Sequence, residues 1–257
     1  MKLTRRDLDA ANARFAELSP VEILRRVADA FGPRAAILSG MQRAGTILCH
    51  MADRAGLSLE VLFVDTGVMH RETLAVRDEL ARTHPNLRVT TLEPARTFAA
   101  QTREEGLLYL SVEGQARCCD LRKTEPLRGV RGKVEALVGA LRQSEGGKRA
   151  KVQPLELDPE MNALRVHPLA TWTDAQLDVY IRENEGVLVN PLHAMGFRTV
   201  GCFPCTTPVR PDEPDRAGRW RHLADVAYCG INPTDVGGRE LEVEVPEHVH
   251  TVLSRWS

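Results

Sequence analysis

The chain has 257 residues, of which 43% are hydrophobic and 27% are charged, and its formal net charge is -1. This composition is ordinary for a globular protein with a large core, and the charge balance alone argues neither for nor against a polyanionic partner. No run approaches the ~18 consecutive apolar residues of a membrane-spanning helix, and the charged start of the chain lacks an apolar signal core. We therefore expect a cytoplasmic protein with no nucleic-acid or membrane partner; whether it forms a homo-oligomer stays open.

Helices and strands alternate along the first hundred residues. Residues 19–32 predict a helix with Ser19 as its N-cap and Pro20 in its first turn. Two further helices are predicted over 41–56, ending at Gly56, and over 70–84; buried strands are predicted over 35–40, 59–67 and 87–94. This alternation indicates an α/β fold with a doubly wound, mostly parallel sheet, in which ligands bind beyond the carboxyl ends of the strands.

The pattern becomes less regular after residue 100. Residues 137–153 predict a strand followed by a polar, glycine-rich loop, and residues 171–186 predict a helix with Thr173 as its N-cap. Residues 190–220 hold too many prolines and glycines for regular structure, and residues 239–247 form a short alternating piece. We divide the chain into a nucleotide-binding α/β domain of residues 1–209 and an irregular, mobile C-terminal segment of residues 210–257.

Four of the six cysteines form two motifs. Cys118 and Cys119 are adjacent, and Cys202 and Cys205 form a C-x-x-C pair. Structural disulfides are uncommon in a reducing cytosol, and four thiolates are what a structural zinc ion or an iron–sulfur cluster requires. Ligand type alone does not separate zinc from iron. The alternative is separate thiol roles, such as a redox dithiol, but Pro208, Pro211 and Pro214 prevent the long helix that should follow one.

The order of these motifs resembles the assimilatory adenylyl-sulfate (APS) reductases of the APS/PAPS reductase family, which have an adenine-nucleotide α-hydrolase-like fold. The resemblance rests on the CC pair, the later C-x-x-C, the basic "RAGRW" and the lone cysteine of "YCGIN". Further matching pieces are "LSG" (38–40), "LFVDTG" (62–67), "RCCDLRKTEPL" (117–127), "VGALRQSEGGKR" (138–149), "HPLATWTDAQLDVYI" (167–181) and "NPLHAMGFRTVGCFPCTTPV" (190–209).

The resemblance implies reduction of adenylyl sulfate to sulfite and AMP, in sulfate assimilation and cysteine biosynthesis, with thioredoxin or glutaredoxin as the dithiol donor. It implies a 4Fe–4S cluster held by Cys118, Cys119, Cys202 and Cys205, and Cys229 as the nucleophile that becomes a cysteine S-sulfonate. The four-cysteine set favours adenylyl sulfate over its 3′-phosphorylated relative, PAPS. Cys49 lies on the apolar side of a predicted helix, where packing is the simpler interpretation.

The anionic substrate requires cations and backbone donors. We expect Lys123, Arg149, Arg216 and Arg219 to grip its phosphate and sulfate oxygens, with weaker cases for Arg142 and Arg122. Helix 41–56 follows "ILSG" directly, so Ser39 and Gly40 are expected at an anion site. At the next strand end, Asp65 and Thr66 are expected to meet the adenosine part; a plain turn is the alternative for "DTG".

Three other functions are weighed. PAPS reductase activity is the first, and a zinc-stabilised nucleotide-binding module without redox chemistry is the second. The third is an ATP-pyrophosphatase-type enzyme, which is disfavoured because Met41, Gln42 and Arg43 stand where a magnesium-binding carboxylate is usual. The near P-loop from Gly40 to Thr46 lacks its lysine, so ordinary P-loop ATP hydrolysis is not supported.

Overall fold

The computed structural model describes residues 5–223, 231–232 and 245–257. Within these residues, a sheet of six short strands is surrounded by helices. The strands are β1 (Ala35–Leu38), β2 (Leu59–Val64), β3 (Leu87–Leu92), β4 (Ala136–Val138), β5 (Leu155–Asp158) and β6 (Ala163–Val166). The helices are α1 (Arg5–Phe15), α2 (Pro20–Phe31), α3 (Arg43–Arg54), α4 (Arg71–Thr83), α5 (Phe98–Glu105), α6 (Val112–Cys119), α7 (Glu125–Arg128), α8 (Asp174–Glu183) and α9 (Glu247–Trp256). No helix in these ranges has the length and apolar content needed to cross a bilayer.

The sheet is mostly parallel, as the alternation predicted. Its strand order is β3-β2-β1-β4-β6-β5, and only β5 runs antiparallel to its neighbour, β6. The chain moves outward from β1 to β2 and β3, and then returns to place β4 on the other side of β1. The carboxyl ends of β1 and β4 therefore flank the switch point, where open sheets of this kind bind ligands.

Local signals explain where the predicted helices begin. Ser19 caps α2 and Thr173 caps α8, and each forms a reciprocal capping box with the side chain three residues later. α2 then buries Ile23, Leu24, Val27 and Phe31 against the sheet. Gly56 follows α3 with a φ of 70°, a left-handed conformation that favours glycine and ends the helix.

The C-terminal helix belongs to the same core. Val249, Val252, Leu253 and Trp256 of α9 are buried in the main hydrophobic cluster, and the Trp256 and Phe15 rings lie 4.7 Å apart. This helix lies in the segment 210–257 that the sequence analysis set apart from the nucleotide-binding domain. Residues 190–220 contain only short helical turns, as predicted, and most of the alternating piece at 239–247 lies outside the described residues.

Candidate active site

The two cysteine motifs come together at one end of the sheet. Cys118 and Cys119 end α6, while Cys202 and Cys205 flank a single helical turn, Phe203–Cys205. All four line one small cavity of about 20 Å³. Cys119, Cys202 and Cys205 are each 8% exposed. The structure thus brings together two cysteine motifs that are separated by more than eighty residues of sequence.

Backbone hydrogen bonds hold the C-x-x-C turn in place. Phe203 N donates to Val68 O at 2.8 Å, which ties the turn to the loop after β2. Trp220 N donates to Cys205 O at 2.9 Å, which brings the Arg219–Trp220 segment against the same turn. Trp220 also lines the cysteine cavity, and its Nε1 is buried with no hydrogen-bond partner among the described residues.

Burial dominates the acid–base behaviour of the cysteines. It raises the pKa of the Cys205 thiol to about 12; nearby Cys202 adds to the shift, and Lys123 and Arg219 oppose it. Burial likewise raises the pKa of Cys118, against a hydrogen bond from Gln101. These thiols are therefore protonated at neutral pH unless a cationic centre binds them as thiolates.

A cleft opens beside the cysteine cavity at the switch point. It has a volume of about 250 Å³ and is lined at the β1 end by Ser39 and Gly40 and at the β4 end by Gly139 and Ala140. Ser39 Oγ accepts a hydrogen bond from Met41 N at 3.2 Å, which orders the turn before α3. The neighbouring helix approaches closely, because a Cβ added at Gly45 would lie 2.7 Å from Ser39 Oγ.

Lys123 and Trp220 line both the cleft and the cysteine cavity. Lys123 follows the CC pair in a π-helical segment, Asp120–Thr124, that continues α6. A side chain in this position can act on a ligand in the cleft and on the sulfurs at once. Thr66 also joins the two spaces, since it lines the cleft and its hydroxyl lies 3.3 Å from Cys202 Sγ.

Arginines dominate the charge of the cleft. The predicted Arg149, Arg216 and Arg219 all line it, and Arg142 does as well. Arg149 forms an ion pair with Glu145, and Arg142 Nη2 lies 2.9 Å from Asp174 Oδ1. Two further cleft arginines, Arg43 and Arg198, were not predicted; the position of Arg43 directly after the Ser-Gly turn was the available signal.

Two predicted residues have different places. Asp65 is not among the cleft-lining residues: its Oδ1 accepts from Gly67 N at 2.8 Å and its Oδ2 lies 3.7 Å from Arg77 Nη1. Its contacts are those of a turn, whereas Thr66 of the same motif does line the cleft. Arg122 lines the cysteine cavity instead of the cleft. Cys49 is fully buried in α3, as its interpretation as a packing residue predicted.

Cys229 lies outside the described residues, but two residues that follow it do not. Ile231 and Asn232 both line the cleft. Arg165 Nη2 donates to Ile231 O at 2.9 Å, and Arg165 is itself fixed by a buried ion pair with Asp158 at 2.7 Å. The chain therefore returns to the cleft within three residues of Cys229.

Comparison with known proteins agrees with this arrangement. Residues 35–208 match the model of the phosphoadenosine phosphosulfate reductase domain. The chain is 35% identical to adenosine 5′-phosphosulfate reductase of Streptomyces coelicolor, over 87% of this chain and 92% of that protein. It is 34% identical to adenosine 5′-phosphosulfate reductase of Mycolicibacterium smegmatis, over 86% of this chain and 91% of that protein.

A solved structure shares the fold. Phosphoadenylyl-sulfate reductase from Candida auris, as a phosphate complex, superposes with a TM-score of 0.68 and 22% identity, over 80% of this chain and 99% of that one. The family model alone spans more than half of the chain, and the relatives align along most of it. The chain therefore belongs to the phosphoadenosine phosphosulfate reductase family.

Proposed function

We propose that this chain is an adenosine 5′-phosphosulfate (adenylyl sulfate) reductase, which releases sulfite and AMP and takes its electrons from thioredoxin or glutaredoxin. The observation that carries the proposal is the shared wall between the nucleotide cleft and the cysteine cavity, formed by Lys123 and Trp220. The curated relatives named above carry the same activity in their names. The substrate would lie in the cleft, with its sulfonate end toward that wall.

We propose that Cys118, Cys119, Cys202 and Cys205 hold a 4Fe–4S cluster, because four sulfur donors that line one cavity are the donor set such a cluster requires. Among the residues that the structure covers, no group of three or more His, Cys, Asp or Glu is arranged to hold a metal ion. The same four thiolates also suit a zinc ion, so the choice of a cluster rests on the family resemblance. The cluster would supply fixed negative charge and organise its four ligands.

Binding of the nucleotide falls to the cleft residues. Ser39 and Gly40 present the turn before α3, where helix-terminal N–H groups favour an anion. Lys123, Arg216 and Arg219 would hold the phosphosulfate beside the cysteine cavity, and Arg149 would exchange its contact with Glu145 for a substrate oxygen. The carboxylate of Asp65 would support the Thr66 turn from behind.

The chemistry is three successive displacements at sulfur. The Cys229 thiolate attacks the sulfonate sulfur, the phosphate–sulfate S–O bond breaks, and AMP leaves with the bonding electron pair. A thiolate of the donor then attacks Cys229 Sγ and expels sulfite, which leaves a mixed disulfide. The second donor thiol resolves that disulfide, so the donor dithiol is oxidised by two electrons and Cys229 returns as a thiolate.

The test is sulfite release from adenylyl sulfate with thioredoxin, comparing the unmodified protein with Cys229→Ser. We expect the substitution to abolish sulfite release while the absorbance near 400 nm and the iron content stay unchanged. Ser254→Ala is the control, because Ser254 is exposed on α9 and does not line the cleft, and it should keep turnover. Sulfite release by Cys229→Ser would refute the nucleophile.

The same assay separates the other candidate activities. Faster turnover of PAPS than of adenylyl sulfate would instead indicate a PAPS reductase. Zinc without iron in anaerobically prepared protein, together with no sulfite from either nucleotide, would indicate a zinc-stabilised binding module. Both outcomes would overturn the proposal, and each would do so through a different measurement.

A further inference from the structure

Two cysteine sulfurs at the end of α6 each face a buried glutamine amide. Gln115 Nε2 lies 3.0 Å from Cys119 Sγ, and Gln101 Nε2 lies 3.6 Å from Cys118 Sγ. Both glutamines are 1% exposed. A buried amide without a good partner costs free energy of folding, and an uncharged thiol sulfur is only a weak acceptor. The pair is therefore costly unless the sulfurs become thiolates, which accept much more strongly.

The orientation of the Gln101 amide is fixed by a third side chain. Its Oε1 accepts a hydrogen bond from Arg122 Nη1 at 2.9 Å. Arginine has donors and no acceptor, so the amide oxygen must point toward Arg122 and the NH₂ group must point toward Cys118. Arg122 cannot turn away easily, because it also donates to the backbone oxygens of Thr66 and Arg96 and is 3% exposed.

Gln115 reaches its sulfur by helix geometry. It precedes Cys119 by four residues in α6, so both side chains lie on the same face of the helix. With a thiolate at position 119, an amide oxygen turned toward the sulfur would meet a second acceptor. Only the NH₂ orientation then makes a hydrogen bond.

We propose that Gln115 and Gln101 are positioning residues that donate N–H···S hydrogen bonds to Cys119 and Cys118 as cluster ligands, and so set the electronic properties of the cluster. The inference rests on the proposed function for the identity of the cluster. The two contacts between an amide and a sulfur are features of the structure itself. An N–H···S bond draws electron density from a ligating sulfur, which weakens its bond to iron and stabilises the more reduced state. The two glutamines give the CC motif an amide donor at each sulfur. In the C-x-x-C motif, Cys202 Sγ faces the Thr66 hydroxyl, and no hydrogen bond to Cys205 Sγ is found in the described part of the chain.

The first test is Gln115→Leu, which keeps the size of the side chain and removes the donor. We expect the Fe–S(Cys) stretching bands in the resonance Raman spectrum to move to higher frequency and the midpoint potential of the cluster to fall. Gln143→Leu is the matched control: its amide donates to Val152 O at 2.9 Å and has no cysteine contact. The control should keep the bands and the potential of the unmodified protein.

The second test is Gln101→Glu, which keeps an acceptor for Arg122 but presents oxygen to Cys118. It should shift the same bands and the potential in the same direction as Gln115→Leu. If Gln115→Leu does not assemble a cluster, the bands and the potential of Gln101→Glu alone decide whether the amide donors act on the cluster. Loaded variants with unchanged bands and unchanged potential would overturn the inference while leaving the proposed function intact. Unmodified protein without iron and sulfide would overturn the cluster itself, and this inference with it.

Discussion

Arg219 lies in a narrow space between an indole ring and a glycine. Its guanidinium carbon is 4.3 Å from the centroid of the Trp220 ring, which is a cation–π geometry. On its other side, a Cβ added at Gly201 would come within 2.6 Å of that carbon. Its Nε is buried without a partner among the described residues. The missing side chain at position 201 therefore allows the guanidinium to lie at the edge of the cysteine cavity, with a donor available.

Gly201→Ala should displace this guanidinium and lower kcat/KM for sulfite release by about 100-fold, which is the cost of moving a binding group by roughly 1 Å. The Kd for AMP should rise as well, because the proposed function places this cation at the phosphate end of the nucleotide. Gly129→Ala is the control, since its added Cβ would meet only Pro126 O at 3.1 Å and the residue does not line the cleft. An unchanged kcat/KM in Gly201→Ala would mean that Arg219 does not hold the substrate.

The cysteine set could be predicted from spacing because metal ligands are few in kind and occur in short motifs. The role of Arg122, which fixes the orientation of the Gln101 amide, could not be predicted from the sequence. It links Thr66 and Gln101 to the sulfurs through contacts that span 21 and 56 residues of sequence. An arginine beside a lysine in a sequence indicates a surface position, and only the fold shows that this one is buried. The amide donors were missed for the same reason.

At the scale of elements, His50 of α3 is buried between Tyr180 of α8 and His84, the residue that follows α4. His50 Nδ1 lies 2.9 Å from the Tyr180 hydroxyl of α8, and the His50 and His84 rings meet edge to face at 6.2 Å. Burial lowers the pKa of both histidines below the usual 6.5. The unfolded chain therefore takes up protons near pH 6.5 while the folded chain does not, until the pH falls to the lowered values.

The free energy of unfolding should therefore fall as the pH is lowered from 6.5 through the lowered pKa values, and should change little above 6.5 on account of these groups. Urea unfolding at pH 7.5 and pH 5.5 measures the difference. A His84→Gln variant should start from a lower stability at pH 7.5 and lose less of it on acidification. A loss as large as that of the unmodified protein would exclude His84 as a source. His70 and His193, whose pKa values are also lowered by burial, should sustain the remaining loss.

The elements that could be predicted are those with local signals. Capping residues and apolar runs indicated α2, α8 and the parallel strands β1 to β4. The hairpin of β5 and β6 was missed because its four-residue strands carry Asp158 and Arg165, which pair at 2.7 Å and are at most 2% exposed. Charged residues in a sequence predict positions exposed to solvent. A strand that carries a buried ion pair therefore does not show the apolar pattern of a buried strand.

For the whole molecule, the strand order puts the two halves of the site side by side. β4 returns beside β1, which brings Gly139 opposite Ser39, and the loop after β2 carries Thr66 and Val68 to the cysteine turn. Nothing local in the sequence fixes this order, since parallel strands pair without regard to their separation in the chain. That the CC and C-x-x-C motifs meet was predicted from the four thiolates that one metal centre requires, and not from the strand order.

The packing of the C-terminal helix α9 also depends on the fold of the whole molecule. The apolar spacing of Val249, Val252, Leu253 and Trp256 is that of an amphipathic helix, yet its partner, α1, lies at the other end of the chain. If α9 is part of the main core, its unfolding must be coupled to that of the sheet. If residues 210–257 were an independent mobile segment, α9 would unfold separately.

Leu253→Ala decides between these two cases. Leu253 is fully buried, so the variant should lose about 2–5 kcal/mol of the free energy of unfolding through lost contacts and a residual cavity. Far-UV circular dichroism and tryptophan fluorescence should still report one transition, shifted to lower urea, because the helix and the sheet unfold together. Ser254→Ala, at an exposed position on the same helix, should leave the midpoint in place. Two separate transitions, or a Leu253→Ala midpoint equal to that of the control, would show that α9 does not stabilise the nucleotide-binding core.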